Sequence, residues 1–499
     1  MSRSESSPRQ RLQAGRRRNG ALPRLALAAL GGGLAAAAGA ADYAADPAFN
    51  GGHYYADAFA SDSSLPDHHY AGSKVARASN GDVVVAALVD EGSLDPQLYT
   101  AVGLIRYDRA GVRVPWTAPD PATTRHFDNY VFVPGTRNDA SIDDLRIVDG
   151  RIVLLHTYRS VHDLPESSLG WISVLDDGGR LLWSDVLYLS DGSSWGVRGG
   201  GLATYADAGS TYVLVASTHV AAKRPRYQRF RLEAGGNLTL LDDVWLATSA
   251  CWNEQWQCDA TGIAVSQDGP DEPPRIYVSY AFRGFDGDDA DVVVSRIDPH
   301  GNGDPAWDPN NVHWNLSDGG SRDDVPVGIA VRRTGAGSPS SPYRDEIFVA
   351  TRSARTCRPG IGLIRFDHDG GVAGRVLAGG SASNWDCITG STSADVPSGL
   401  ALDADRLVVV GSRTVHSRRF TWPADALVRR FGFDLAVRGE QTFAYPIGSP
   451  RQRASEFSGA AVSGPDEIVA TGSLTYPATA PGGLGGKRQV GTLRLRWTP

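Results

Sequence analysis

DPAFNGGHYYADAF, residues 46–59, and DPAWDPNNVHWNLS, residues 304–317, are two copies of one segment. The later copy follows DVVVSRIDPHG, from Asp291, and so supplies the fourth strand of a repeat unit. The earlier copy stands near the start of the chain with no such strand before it. At the other end, GTLRLRWTP, residues 491–499, stops after the third strand of its unit. An N-terminal strand that completes the C-terminal unit closes the repeats into a ring and leaves no long unpaired edge. An open solenoid is the alternative, but it needs capped ends.

Working outward, one pattern recurs along the chain. First strands begin at Lys74, Asp144, Gly201, Gly262, Gly328, Gly399 and Gly459. Second strands read DVVVAAL from Asp82, RIVLLHT from Arg151, TYVLVAS from Thr211, RIYVSYA from Arg275, EIFVATR from Glu346, RLVVVGS from Arg406 and EIVATGS from Glu467. Third strands end in Arg-x-Asp-x-x-Gly, as in LIRYDRAG from Leu104 and LIRFDHDG from Leu363. Alternation with period two, β-branched residues and Gly/Asp turns mark strands, and no long 3.6-residue period follows the leader. The expected fold is therefore all-β: a seven-bladed β-propeller over residues 41–499, closed by an N-terminal strand joining the C-terminal blade.

The units resemble the delta-60 repeats of bacterial exported β-propellers, through LIRYDRAG from Leu104, SRIDPHGNGDPAW from Ser295, LIRFDHDG from Leu363 and DPAF from Asp46. The second, third and sixth units lack the D-P-x-F segment. The resemblance implies the propeller fold and, since such repeats serve diverse roles, no catalytic residue set.

Residues 1–40 carry seven Arg and one Glu, an Ala/Leu/Gly run from Leu25 to Ala38, and small residues Ala38-Gly39-Ala40. These are the parts of a secretory signal peptide, and an uncleaved anchor is the other reading. No later segment approaches membrane-spanning length. Among the remaining residues, 42 basic groups face 55 acidic ones, which excludes a global attraction for nucleic acid. In a periplasmic or secreted protein, four cysteines favour two disulfides, Cys251–Cys258 and Cys357–Cys387.

Chemistry is expected on the face where long loops enter the first strands. Asp143, Asp144, Asp259, Asp323, Asp324, Asp395 and Glu456 stand just before or at first strands, so closure would gather them into an acidic ring. Such a ring would hold Ca²⁺ or a cationic ligand, or its carboxylates would serve backbone amides in the turns. FRGFDGDDAD, from Phe282, offers Asp286, Asp288 and Asp291 as hard oxygen ligands for Ca²⁺, or is a solvated acidic loop. Trp195, Trp252, Trp256, Trp385 and Trp422 crowd the same loops and suit stacking on sugars or anchoring a peptide, or else they roof the blade ends and pack on the disulfides. The candidate ligand-binding set is Asp144, Trp195, Arg198, Asp259, Asp324, Trp385, Asp395 and Glu456.

H-E-x-x-H is absent, and GGLGGKRQVG from Gly482 departs from a P-loop. The expected function is a monomeric, exported, non-catalytic propeller. Its partner would be a glycan, a peptide or a cell-envelope protein. The alternative is a hydrolase or lyase built on the channel-mouth carboxylates, with or without calcium.

Overall fold

The computed structural model describes residues 42–50, 55–57, 70–89, 101–117, 131–133, 139–159, 168–187, 196–246, 257–267, 273–283, 290–307, 323–335, 343–354, 359–378, 392–403, 405–416, 421–443, 454–464, 466–475 and 488–498. These residues form strands and turns with no α-helix, arranged as seven antiparallel sheets. The chain is a seven-bladed β-propeller. From the axis outward, blade 1 holds Tyr70–Arg77, Val83–Val89, Ala101–Tyr107 and Val131–Val133. Blade 2 holds Asp139–Val148, Arg151–Arg159, Ser168–Leu175 and Leu181–Val186, and blade 3 Val197–Asp207, Ser210–His219, Arg224–Leu232 and Leu238–Trp245. Blade 4 shows Gln257–Ser266, Arg275–Arg283 and Ala290–Ile297; the segment expected as its fourth strand lies largely outside the described residues. Blade 5 holds Asp324–Thr334, Arg344–Ala354, Pro359–Phe366 and Val372–Ala378, and blade 6 Thr392–Asp403, Arg406–His416, Thr421–Phe431 and Val437–Phe443.

Blade 7 is the closure. Its strands Ala454–Gly464, Glu467–Thr475 and Arg488–Thr498 come from the C-terminal end of the chain, and Asp42–Ala45 pairs antiparallel on the last of them. Tyr55–Asp57 pairs further along the same strand, with Tyr55 opposite Thr492. The two D-P-A segments are structurally equivalent. Asp46 accepts from the Ala48 amide at 2.9 Å and from Arg494 Nε at 2.7 Å. Asp304 accepts from the Ala306 amide at 2.9 Å and from Arg296 Nε at 2.8 Å.

The apolar core runs between blades. Alternate side chains of each second and third strand face opposite neighbours, so each junction between successive blades holds its own cluster. The blade 7–blade 1 junction contains Phe49, Val83, Val85, Ile105, Val469 and Val490, all nearly inaccessible to water. Each buried aliphatic side chain of this size contributes about 1.5–3 kcal/mol.

The Arg-x-Asp-x-x-Gly ending of the third strand has a distinct task for each residue. The Asp caps the turn, as Asp298 Oδ1 accepts the amides of His300 and Asn302. The Gly takes a positive φ, 83° at Gly301. The Arg clamps the next blade through the carbonyl of the turn's second residue. Arg106 donates to Asp177 at 2.8 Å, Arg296 to His368 at 2.6 Å, Arg365 to Phe433 at 2.8 Å and Arg494 to Arg109 at 2.7 Å. Arg151 and Tyr227 do the same for the carbonyls of Ala234 and Pro299. Among the described residues six junctions are closed this way; the junction of blade 6 with blade 7 is not.

Candidate functional site: the axis and its mouth

Each inner strand carries a bulge, at Ser73, Asp143, Gly200, Thr261, Val327, Ser398 and Ser458. The next residue is Lys74, Asp144, Gly201, Gly262, Gly328, Gly399 or Gly459. Five glycines let adjacent backbones meet around the axis. A Cβ on Gly201 would lie 3.1 Å from Gly262 Cα, and one on Gly459 would lie 2.7 Å from the Ser73 carbonyl oxygen. What remains is an axial cavity of about 110 Å³. That holds a few waters and is well below the ~300–1,000 Å³ of small-molecule sites.

Blades 1 and 2 interrupt the glycine ring, and the cavity's charge is concentrated there, on Lys74, Asp143, Asp144 and Arg146. Asp144 joins blade 2 to blade 3: its Oδ2 accepts from the Leu202 amide at 2.9 Å and from Arg146 at 3.0 Å. Arg146 Nε in turn donates to the Leu202 carbonyl at 3.0 Å. Asp143 accepts from the hydroxyls of Thr157 at 2.6 Å and Ser141 at 3.3 Å. Burial raises the Asp143 carboxyl to about 7, against the opposing pull of the Thr157 hydrogen bond and of Lys74 and Arg198.

The acidic residues expected at the mouth do not form one circle. The inner strands extend several residues N-terminal to their bulges, and the carboxylates fall at different levels of that stretch. Asp259 and Glu456 precede their bulges by two residues, whereas Asp324 and Asp395 precede theirs by three, which turns them into the blades. There Asp324 and Asp395 are 1% and 2% exposed. Asp395 is held by Arg413 at 2.7 Å and Arg429 at 2.8 Å, and both guanidiniums also reach Glu440. Asp259 pairs with Arg198 at 2.6 Å, joining two residues of the expected ligand set to each other. Asp323 accepts from Arg283 at 3.1 Å and from the Ala290 amide at 2.9 Å. Glu456 accepts from Ser473 at 2.8 Å.

Trp195, Trp252, Trp256 and Trp385 lie outside the described residues, as do Asp286 and Asp288. Trp422 falls on the third strand of blade 6, opposite Val415, and Asp291 on the third strand of blade 4, opposite Phe282. Among the described residues no three His, Cys, Asp or Glu side chains stand together as metal ligands. Cys258 is buried and not a free thiol, while Cys251, Cys357 and Cys387 lie outside the described residues. No helix among the described residues is long and apolar enough to cross a membrane. Arg146 and Thr157 are site residues that the sequence-based expectations do not contain. Their signal is present in the seven first-strand starts, where Lys and Asp replace Gly at two adjacent blades.

No family model matches this chain, and no curated protein matches it. Among solved structures it is similar to a protein of unknown function from Dyadobacter fermentans, with 11% identity, 87% of this chain and 96% of that chain covered, and a TM-score of 0.39. The Dos1 propeller matches with 10% identity, 89% and 93% coverage and a TM-score of 0.41. The polysaccharide lyase Uly1 matches with 11% identity, 89% and 91% coverage and a TM-score of 0.41. At these identities and scores, none of the three bears on what this chain binds or does.

Proposed function

We propose that this chain is an exported, non-catalytic propeller of the delta-60 type that binds a glycan, peptide or envelope protein through one face. The observation that carries this reading is the uneven distribution of connections. Inner strands turn into second strands within two residues in blades 2, 3, 6 and 7, whereas among the described strands the connections from blades 1, 2, 3, 5, 6 and 7 to the next inner strand are longer and leave from the opposite ends of the strands. In the sequence, Trp195, Trp252 and Trp385 fall within three of these connections. Internal pairing of Asp144, Asp259 and Asp395 supports binding over hydrolysis, because guanidinium and amide donors already occupy their oxygens. The leader and the four cysteines support export and the pairs Cys251–Cys258 and Cys357–Cys387.

The test is a panel of envelope glycans and peptides titrated against the mature chain. Saturable binding that falls at least tenfold in Trp195→Ala and Trp385→Ala is the expected result. Turnover of glycosides, esters or lactones that disappears in Asp144→Asn would overturn it in favour of the hydrolase or lyase.

A further inference from the structure

The one junction without a carbonyl clamp among the described residues is the one where the ring is closed. In blades 1 to 6 the third strand ends in a tight turn; in blade 7 the two strands run on, with Arg496 opposite Ala44, Trp497 opposite Tyr43 and Thr498 opposite Asp42. Arg430 stands two residues before its turn, as Arg106 does in blade 1, and meets no turn carbonyl on the described part of the next blade. Its guanidinium lies 3.9 Å from the Trp497 ring centroid instead, with one nitrogen 3.2 Å from Asp405. Its Nε is buried with no acceptor among the described residues. Beside it opens a cleft of about 480 Å³, the size of a small-ligand site, on the face opposite the long connections.

We propose that this closure cleft binds an acidic sugar, a hexuronate whose carboxylate takes the donors of Arg430 and Arg438 and whose ring packs against Trp497. A carboxylate supplies the oxygen that a turn carbonyl supplies at the other six junctions. Burial and the neighbouring Arg406 both disfavour the charge on Arg430, and a bound anion relieves that penalty. Asp405 and Asp434, more than half exposed at the rim, accept hydrogen bonds from sugar hydroxyls and disfavour the concentrated charge of a phosphate over a single carboxylate. Among the described residues Arg438 is paired with Asp434 alone, at 2.5 Å, an exposed contact that a ligand displaces at little cost. The indole and Phe433 supply apolar walls for the carbon face of the ring.

Calorimetric titration of the full chain with digalacturonate tests the proposal, with galactobiose as its neutral twin and an acetylated tetrapeptide with a free carboxyl end as the peptide control. Expected is saturable one-to-one binding, at least tenfold weaker for galactobiose and at least tenfold weaker in Arg430→Met. Arg438→Ala, at an exposed position, is expected to lose binding similarly with its melting temperature unchanged, which separates recognition from folding. Absence of saturation up to about 10 mM overturns the site. Equal binding of galactobiose, or equal binding by Arg438→Ala, overturns the carboxylate contact. Tighter binding of the tetrapeptide than of the disaccharide overturns the assignment to a sugar.

Discussion

Two buried titratable residues in blade 2 shift in ways that oppose folding at opposite ends of the pH range. His156 is fully buried, stacks on Trp171 and meets Ser173 at 3.2 Å; burial pushes its pKa down to about 3. The unfolded chain binds a proton here as pH falls through the ordinary histidine value, while the folded chain does not until about pH 3. Stability is therefore lost between those values, by about 1.4 kcal/mol per pH unit. Asp143 is raised to about 7, so its penalty is absent near pH 4, grows towards pH 7 and is constant above. Urea denaturation at pH 4.5 and 8 is expected to show His156→Gln gaining on the wild type at the acidic end. Asp143→Asn is expected to gain at the alkaline end, by on the order of 3 kcal/mol. Variants that track the wild type at both values would contradict the burial of these groups. Neither titration is legible in the sequence, because burial depends on which neighbour a strand face meets.

At the scale of the element, turns are readable in the sequence and bulges are not. Arg-x-Asp-x-x-Gly fixes a local geometry within six residues, so its strand ends fall where expected. The repeat pattern starts the inner strands at Lys74, Asp144 and their counterparts, yet they begin several residues earlier, at Tyr70 and Asp139. One extra residue reverses the alternation, so the stretch before each bulge loses its pattern. This is why acids that share one place in the repeat lie at several depths rather than on one circle. The turns permit a comparison. Gly209 has a φ of 77° and open space where a side chain would stand, whereas a Cβ on Gly301 would meet Val244 at 2.1 Å. Gly209→Ala is expected to cost about 1 kcal/mol for its left-handed backbone and Gly301→Ala clearly more, read as urea midpoints. Equal losses would show that this turn does not press on blade 3.

For the whole molecule, closure is legible because its signal is a long-range sequence match. The partner is not, because the long connections share no pattern from unit to unit. Closure depends on Asp46, 1% exposed and held by Arg494 and Arg496. Asp46→Ala leaves Arg494 without its buried partner, a loss of about 3–5 kcal/mol. Asp304→Ala removes the same contact from blade 4, where the carboxylate is a third exposed and no chain end is being held. The first variant is expected to melt earlier and to be cut by protease within blade 7; similar melting of the two would deny closure any special weight.

Because Asp42 lies directly opposite Thr498, the ends of the ladder meet at one edge of blade 7. A molecule anchored at one of these residues and pulled at the other would feel the load on a single rung at a time, as a zipper does. Blade 7 would then part at low force while the other six, loaded only after it opens, still hold their shape.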